Sequence, residues 1–417
     1  MNCSSDIVIC GAGPAGTTAS AFLGKKEIPH ILIDQAVFPR DKICGDALSG
    51  KVLPVIKKLD ASLLNEMVEN REHFHESHGI RFASPDGNAI DIPFRKEELQ
   101  NVFPPGFLSK RYDFDHFLHK TLNHSYTDFR QGTKLLEITK IPTGLELLVA
   151  SGKVKYTIQT KLLISSDGDR SVAAKKLNGF QVERNHYCAG IRAYYAGVSD
   201  LHPRNFIELH FIKSMLPGYL WIFPMSGGRA NVGAGMLSSV IAKKKINLRE
   251  RMLFALENEP TLKNRFKNAV IEGGIEGWGL PLGSKKRSVS GDHFLLTGDA
   301  ASLIDPFTGE GISNAMITGM MAADTAAAAV EQHNFSKSFL SQYESNVYQR
   351  LLGELKISRT LQQLCKYPWL FNFVVRKASK NKTFRDTITC MFDDIDMRSR
   401  LTSPVFYFNL LFSNNGK

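Results

Sequence analysis

The chain of 417 residues carries a formal net charge of +11, with 43% hydrophobic and 22% charged residues, and this composition excludes a disordered protein. Its six cysteines form no CxxC pair, which excludes zinc-type spacing and a disulfide framework, so reduced thiols and a cytoplasmic location are expected. No apolar run reaches about 20 residues, which argues against a spanning helix but leaves peripheral contact with a membrane surface open.

The first elements of the chain form a nucleotide-binding pattern. A short apolar strand over 6–10 leads into GAGPAG at 11–16, and small and apolar residues over 14–25 favour a helix. A second strand over 30–33 then ends at Asp34. The order strand, glycine turn, helix, strand and acid is typical of a dinucleotide-binding unit.

Each residue type in this pattern answers a physical demand. Gly11 would make the tight turn, Gly13 would let a pyrophosphate approach the backbone, and Gly16 would let the helix pack on the strand. Asp34 lies 18 residues after Gly16, where an acid that binds a ribose is expected. The sequence therefore predicts dinucleotide binding at the start of the chain.

The next stretch alternates helical and β-type segments. Helical periodicity covers 51–70, a hairpin is predicted over 80–92, and a helix over 109–122. Residues 161–177 form another strand, a glycine turn and another helix. The histidine-rich segment 73–78 lacks the helical pairing and the nearby carboxylates of a typical site, so no metal site is predicted.

The second half of the chain begins with β-rich sequence. Residues 185–285 read as a mostly antiparallel sheet with one short helix at 247–258. Residues 294–316 then return to a strand, a Gly-Asp pair, a proline turn and a glycine-flanked helix start, and 336–400 read as successive helices. Asp299 would lie at the carboxyl edge of a sheet, where doubly wound folds bind ligands, and would accept hydrogen bonds from a ribose or ribityl hydroxyl.

The two nucleotide patterns, at 11–16 and 294–316, lie almost 290 residues apart and must meet on one ligand. Such a distant second segment is typical of FAD enzymes, whereas an NAD domain completes its site with contiguous units. The sequence resembles the para-hydroxybenzoate-hydroxylase-type FAD superfamily, whose three fingerprints stand here as GAGPAG (11–16), SDGDRS (166–171) and LTGDAASLIDPFTGEGI (296–312). Within it, PRDKICGDALSG (39–50) and LPGYLWIFPMSGGRANVGAG (216–235) resemble the geranylgeranyl reductase family.

The resemblance implies an α/β fold. A Rossmann-like FAD-binding domain would carry the GxGxxG, DG and GD fingerprints, with an inserted, mostly antiparallel β-sheet substrate domain and a helical C-terminal region. The expected boundaries are 1–72, 100–182 and 286–335 for the FAD-binding domain, 73–99 and 183–285 for the substrate domain, and 336–417 for the helical region.

The resemblance also implies the cofactor residues. Arg111 would contact the phosphate–ribityl side of the flavin, and Asp299 the ribityl chain. The whole expected set is Gly11, Gly13, Pro14, Ala15, Gly16, Asp34, Gln35, Arg111, Asp167, Gly168, Gly298, Asp299, Pro306, Gly309, Gly311 and Ile312. Lys175 or Lys176 replaces an arginine that is common in the hydroxylases, which argues against their NADPH contact. The electron donor is left open between NAD(P)H and a ferredoxin.

Three residues are the candidates for the chemistry beside the flavin: Cys44, Tyr219 and Trp221. Tyr219, Trp221 and Phe223 alternate with other residues along one strand, so one face carries three aromatic rings. This face is either ordinary core packing or an apolar wall for an isoprenoid. Cys44 is either a buried structural thiol at a glycine turn or a proton donor or redox gate.

The sequence predicts a FAD-dependent oxidoreductase that reduces carbon–carbon double bonds of an isoprenoid or another apolar small molecule. The alternative is an aromatic monooxygenase on the same fold, which the weak match of the DG motif opposes. A flavin-dependent halogenase is a further alternative because LWIFP resembles WxWxIP, although Tyr219 and Phe223 depart from that pattern. A non-enzymatic FAD-holding scaffold is the remaining class.

The C-terminal part is the candidate surface for a partner. Residues 331–417 hold 13 Lys and Arg against 7 Asp and Glu. Two aromatic–aliphatic segments, 367–375 and 404–412, flank a basic run at 376–385. Such a surface suits an anionic bilayer, and equally a solvated basic face of helices that cover the core. No nucleic-acid motif accompanies the positive charge, so no nucleic-acid partner is expected, and the oligomeric state is left open.

Overall fold

The computed structural model describes residues 2–94, 103–381 and 385. Its strands are β1 (Asn2–Cys10), β2 (His30–Ile33), β3 (Ala47–Ser49), β4 (His75–Glu76), β5 (Gly79–Ala83), β6 (Ala89–Pro93), β7 (Gly106–Leu108), β8 (Thr127–Arg130), β9 (Thr133–Ile141), β10 (Gly144–Ser151), β11 (Val154–Ser165), β12 (Tyr187–Ala196), β13 (Ile207–His210), β14 (Tyr219–Met225), β15 (Arg229–Leu237), β16 (Val270–Pro281), β17 (Ser290–Gly291) and β18 (Phe294–Leu296). Its α-helices are α1 (Pro14–Lys25), α2 (Val52–Leu59), α3 (Ser62–Glu69), α4 (Arg111–His119), α5 (Val172–Asn178), α6 (Ser238–Lys244), α7 (Leu248–Asn258), α8 (Ile312–Glu331), α9 (Lys337–Leu364) and α10 (Pro368–Lys380).

An eight-stranded sheet brings the three glycine motifs together. Its order is β17-β18-β11-β1-β2-β8, and the hairpin of β9 and β10 pairs with β11. The strands β18, β11, β1, β2 and β8 run parallel, with Cys10 opposite both Ile33 and Ser165, and Ser165 opposite Leu296. Because the carboxyl ends of these parallel strands share one edge, motifs far apart in sequence meet there.

A seven-stranded sheet faces this edge. Its order is β16-β12-β15-β14-β13-β5-β6, and every pairing is antiparallel except that between β13 and β5. The α/β fold class is therefore confirmed. The predicted domain boundaries stay predictions, and the one between 73–99 and 100–182 lies outside the described residues.

One prediction for the β-rich half was incomplete. The sequence predicted one helix at 247–258, whereas the structure has α6 as well as α7 between β15 and β16. The missed helix spans only seven residues and stops where Lys245 adopts a left-handed φ of 50°. Fewer than two turns leave too short a window for a helical period to stand out, and the equally short α5 was predicted from the strand and glycine turn that precede it.

Helix α8 packs closely on α1, as its small residues predict. A Cβ atom built on Gly319 of α8 would lie 2.2 Å from the backbone oxygen of Ala15 in α1. Both helices contribute alanines to the core cluster that also contains the central strands β1, β11 and β18. This contact holds the start of α8 beside the start of α1, at the edge where the strands end.

Candidate functional site

A cavity of about 1220 Å³ runs from the glycine turn after β1 to the aromatic strand β14. Pockets for drug-sized ligands usually occupy about 300–1,000 Å³, so this space suits a dinucleotide together with a second molecule. Thirteen of the sixteen residues expected to bind the cofactor line it. The exceptions are Gly16, Gly298 and Pro306, which are absent from the cavity lining that the described residues form.

The turn after β1 requires glycine for steric reasons. Gly11 has a φ of 100°, and a Cβ atom there would lie 2.3 Å from the backbone oxygen of Ser166. A Cβ atom on Gly16 would lie 1.8 Å from the backbone oxygen of Gly11. Gly16 therefore acts through the packing of α1 on the turn, as its place in the motif predicts, rather than through the cavity.

Asp34 ties the end of β2 to this turn. The backbone N–H groups of Ala12 and Ala36 donate to Asp34 Oδ2 and Oδ1, each over 2.7 Å. Asp34 and its neighbour Gln35 both line the cavity. The predicted ribose acid is thus also the anchor that shapes the glycine turn.

Two arginines lie at the start of α1. Helix α1 has Gly13 as its N-cap and no side-chain cap, so its first-turn amides are available to an anion. A Cβ atom on Gly13 would lie 3.7 Å from Arg111 Nη2 and 3.8 Å from Arg40 Nη2. Asp115 accepts hydrogen bonds from both guanidinium groups, at 2.6–2.7 Å. The combination of free amides and two guanidinium groups fits a pyrophosphate.

Burial and ion pairing oppose each other at Arg111. Burial by itself would lower the pKa of Arg111, but the neighbouring Asp115 carboxylate more than offsets this and raises it. The guanidinium therefore stays charged at the cavity. Arg111 was predicted from the family resemblance, whereas Arg40 was missed, and no periodic signal in its loop could have identified it.

The DG motif shapes the loop after β11. Asp167 accepts hydrogen bonds from Ser165 Oγ and, over 2.7 Å, from the backbone N–H of Val172 at the start of α5. Burial raises the pKa of Asp167. Gly168 follows with a φ of 75° and lines the cavity. The carboxylate thus holds the loop in place, and the glycine forms the surface.

The GD motif carries a charge pair that the sequence did not reveal. Lys42 Nζ lies 3.3 Å from Asp299 Oδ2, and both residues line the cavity. Gly298, with a φ of 53°, packs on Ala315, and the carbonyl of Pro306 accepts a hydrogen bond from Gln362. Gly298 and Pro306 therefore hold the GD segment in place through packing and hydrogen bonding on the side away from the cavity.

The aromatic face of β14 lies on the cavity as predicted. Tyr219, Trp221 and Phe223 line it, whereas Leu220 and Ile222 join the core on the opposite face of the sheet. Tyr219 donates from its hydroxyl to the carbonyl of Thr308 over 2.5 Å, next to Gly309. Burial raises the pKa of Tyr219, so its hydroxyl stays neutral. Helix α8 then begins at Gly311 without a side-chain cap.

Cys44 lines the cavity beside this wall, in a loop that also holds an unpredicted acid. Burial raises the pKa of the Cys44 thiol, although the positive charge of Arg111 acts in the opposite direction. Two residues later, Asp46 is almost fully buried and also lines the cavity. Asn231 donates hydrogen bonds both to the carbonyl of Cys44 and to Asp46 Oδ2, each over 2.8 Å.

The model of the FAD binding domain family matches residues 4–351. The chain belongs to this family. Its match spans the GxGxxG, DG and GD motifs, so the prediction of FAD as the cofactor is confirmed. The residues present fit FAD, since two uncapped helix starts, two guanidinium groups and a glycine-lined wall surround one continuous cavity.

The curated relatives of this FAD-binding chain include reductases. A digeranylgeranylglycerophospholipid reductase of Methanococcus vannielii is 29% identical over 367 residues, covering 87% of each chain. A menaquinone reductase of Mycolicibacterium smegmatis is 28% identical over 376 residues, again covering 87% of each chain. The predicted relationship to geranylgeranyl reductases and the assignment as a FAD-dependent oxidoreductase are confirmed.

Solved structures share the fold. A geranylgeranyl bacteriochlorophyll reductase-like protein from Thermoplasma acidophilum superposes with a TM-score of 0.78 at 21% identity, covering 96% of this chain and 99% of the other. A flavin-dependent brominase superposes with a TM-score of 0.76 at 22% identity, covering 97% and 99%. At such identities the likeness establishes the FAD-binding fold and no chemistry beyond it.

Proposed function

We propose that this protein reduces carbon–carbon double bonds in the isoprenoid part of an apolar lipid. The observation that carries the proposal is the aromatic face of β14, Tyr219, Trp221 and Phe223, which lines the same cavity as the dinucleotide turn. The two curated relatives named above are reductases of a digeranylgeranyl lipid and of menaquinone.

The remainder of the cavity lining supports an apolar substrate. Beyond the aromatic face the wall contains aliphatic and sulfur side chains from the seven-stranded sheet and from helices α2 and α8. These side chains are Val55, Ile80, Ile207, Leu209, Ile317, Met320 and Met321. Aliphatic and methionine side chains bind flexible hydrocarbon chains without demanding a fixed pattern of hydrogen bonds.

FAD, once reduced, supplies a hydride at its flavin ring. The chain supplies position and electrostatics. The uncapped amides that begin α8 at Gly311 place the positive end of a helix at the cavity, where they stabilise negative charge. Arg111 and Arg40 would hold the pyrophosphate of FAD at the start of α1, and the rings of β14 would keep water away from an apolar substrate.

Product analysis tests this function. The FAD-loaded protein, reduced anaerobically with dithionite, is mixed with a geranylgeranyl phospholipid, with menaquinone or with a phenol, and products are identified by mass spectrometry. We expect a gain of two hydrogens per reduced bond with a prenyl lipid. Hydroxylated phenol formed in air, with no saturated lipid, would overturn the proposal in favour of a monooxygenase. NAD(P)H and reduced ferredoxin are then compared as donors.

We also propose that the protein binds to an anionic lipid surface through α10. Tyr367 and Trp369 are 54% and 70% exposed, and Phe373 is 45% exposed. Lys380 continues the same exposed stripe with positive charge, whereas Arg376 on that stripe is paired with Asp86 over 2.6 Å. Aromatic rings beside cations are typical of helices that lie in a bilayer interface. Among the described residues, no helix is long and apolar enough to cross a bilayer.

The second aromatic segment expected to contact lipid, 404–412, lies outside the described residues, as does most of the basic run after Asn381. Helix α10 itself is attached to the cavity wall. The ring of Phe371 packs 4.4 Å from that of Phe211, which in turn lies 5.5 Å from that of Tyr219. A bilayer against α10 would therefore lie close to the proposed substrate site.

A further inference from the structure

A buried carboxyl group lies beside the aromatic face of β14. Asp46 follows Cys44 and Gly45 in the loop before β3, and only 1% of its surface is exposed. Its backbone has a φ of 68°, a conformation that residues with side chains rarely adopt. Asp46 lines the cavity together with Trp221 and Phe223. A strained backbone position next to a cavity is typical of residues that a site requires.

The two carboxyl oxygens of Asp46 have different surroundings. Oδ2 accepts a hydrogen bond from the Tyr194 hydroxyl over 2.6 Å and one from Asn231 Nδ2 over 2.8 Å. Oδ1 is buried and has no hydrogen-bond partner within the described chain. An unpaired buried carboxylate oxygen is costly, whereas a protonated one removes the charge and provides a donor. The geometry thus favours a neutral acid whose proton lies on Oδ1.

Asn231 fixes this acid relative to the aromatic wall. Its side-chain oxygen accepts a hydrogen bond from Trp221 Nε1 over 2.9 Å, and its nitrogen donates to Asp46 and to the Cys44 carbonyl. One amide therefore joins the wall, the thiol loop and the acid. Such a group holds an acid at a fixed distance from whatever lies against Trp221.

The cysteine and tyrosine side chains of this region are too weak as acids to compete near neutral pH. Burial raises the pKa values of Cys44, Tyr219 and Tyr194, which start at 9.0 for the thiol and 10.0 for the phenols. Burial also raises the pKa of Asp46, but only to about 6. A general acid works best when its pKa lies near the working pH, which favours the carboxyl group over the thiol and the phenols.

We propose that Asp46 is the acid that protonates the double bond during reduction, an inference that rests on the proposed function. One alkene carbon receives a hydride from reduced FAD, which is thereby oxidised. The other carbon takes the proton of the Asp46 carboxyl group with the electron pair of the double bond, which leaves the carboxylate. A solvent proton passed along the half-buried Tyr194 hydroxyl, which contacts Oδ2, restores the acid. The product gains two hydrogens, and charge is balanced.

The pH dependence has a defined sign. The groups that face the carboxyl are Tyr194, Arg192, Asn231, Asp41 and Cys44. Burial raises the pKa of Asp46 to about 6, so the carboxyl group is protonated below pH 6 and loses its proton as the pH rises through that value. We therefore expect the rate at which a prenyl lipid reoxidises the reduced flavin to fall above pH 6.

Replacement of the acid by its amide provides the first test. In Asp46→Asn we expect this reoxidation rate to fall by about 100-fold or more and to lose its dependence on pH near 6, while FAD binding and reduction by dithionite stay unchanged. Asp324→Asn, which removes an exposed carboxylate on α8, is the matched control and should behave as the wild type. Infrared spectra of the flavin-free protein should contain a carboxylic acid band that titrates near pH 6 and disappears in Asp46→Asn alone.

Tyr194→Phe keeps the inference testable if the amide variant does not fold. Loss of the hydroxyl removes a hydrogen bond that lowers the pKa of Asp46, so the midpoint of the pH profile should move to higher pH. An unshifted midpoint in Tyr194→Phe, or a wild-type rate in Asp46→Asn, overturns the role of Asp46. If the wild-type protein saturates no prenyl lipid at any pH, the proposed function itself has failed.

Discussion

Two helical glycines, Gly16 in α1 and Gly353 in α9, have opposite surroundings. A Cβ atom on Gly16 would collide with a backbone oxygen at 1.8 Å, whereas one on Gly353 would meet no atom within 4 Å. A backbone oxygen cannot move away from the new Cβ atom as the end of a flexible side chain can. The last glycine of the GxGxxG pattern, Gly16, is therefore required for steric reasons rather than for a contact with the ligand.

We expect Gly16→Ala to push α1 away from the turn, because the new Cβ atom would collide with the backbone. The displaced turn should weaken FAD binding at least about 10-fold, which corresponds to about 1.4 kcal/mol of binding free energy. Gly353→Ala should leave FAD binding unchanged and stabilise the protein by about 0.5–1 kcal/mol, since alanine favours a helix. Flavin fluorescence titrations and thermal melts measure both. Equal FAD affinity in the two variants would contradict this account of the turn.

Glu208 illustrates how burial and pairing decide the charge of a single residue. It is fully buried on β13 and accepts two hydrogen bonds from Arg265, over 2.7 and 2.8 Å, with His210 Nε2 at 2.9 Å. Burial by itself would raise the pKa of Glu208, but His210 and Arg265 more than offset this and lower it to about 2. Such a lowered pKa stabilises the fold above pH 4.5, and the stabilisation is lost as the pH falls towards 2.

Removal of the arginine should be costly at neutral pH. We expect Arg265→Met to lower the free energy of unfolding by about 3–5 kcal/mol at pH 7, because it leaves a buried charge without its partner. The loss should shrink at pH 4, where Glu208 takes up a proton in the variant. Arg229→Met, which breaks an exposed pair with Glu272, should cost about 0–1 kcal/mol. Urea unfolding at both pH values measures this, and a loss that grows in acid would refute it.

Helix α10 has large aromatic side chains on its exposed face. Trp369 and Phe373 are one turn apart on its outer side, and Phe371 packs inward on the aromatic cluster. Because a helix has one inward and one outward face, this division assigns the two roles to different residues of the same segment. The outer rings belong to the proposed lipid contact.

We expect the double variant Trp369→Ser, Phe373→Ser to lose most of its binding to vesicles of phosphatidylcholine with phosphatidylglycerol. Phe254→Ser removes a ring that is 57% exposed on α7 and should bind as the wild type does. Co-sedimentation at low and high salt measures both, and salt should weaken the wild type because cations contribute. Wild-type binding by the double variant would remove α10 from the proposed interface.

At the scale of the whole molecule, one cavity is shared by elements from both large sheets. Its walls include Gly11 after β1 and Asp167 after β11 in one sheet, and Arg192 and Trp221 in the other. A ligand that contacts both sheets binds only the folded chain. The cofactor should therefore stabilise the protein as a whole.

We expect saturating FAD to raise the melting temperature of the flavin-free protein, with about 2.7 kcal/mol of stabilisation at about 100 times the Kd. Riboflavin should raise it far less at equal concentration, because it lacks the diphosphate and adenosine groups that the start of α1 and Asp34 would hold. Differential scanning fluorimetry provides the measurement. An equal shift with riboflavin would contradict the role assigned to the turn after β1.

The sequence alone predicted strands such as β1, β2 and β18, the glycine turns, the order of the three motifs and the aromatic face of β14. These features are local, because a positive φ at Gly11 or a period of two over 219–223 depends on neighbours in the chain. The resemblance then extended them to FAD and to residues such as Arg111. Helix α6, with seven residues, is too short to be predicted from the periodicity of its hydrophobic residues.

Only the tertiary structure decided which charged groups meet. Lys42 pairs with Asp299 across 257 residues of chain, and Asp46 meets Asn231 across 185 residues. The loop over 39–50 has no period from which burial could be inferred, so Asp46 had no visible partner in the sequence. Its pKa of about 6 comes from exclusion of water by the packed sheets, and that property exists only once the chain is folded.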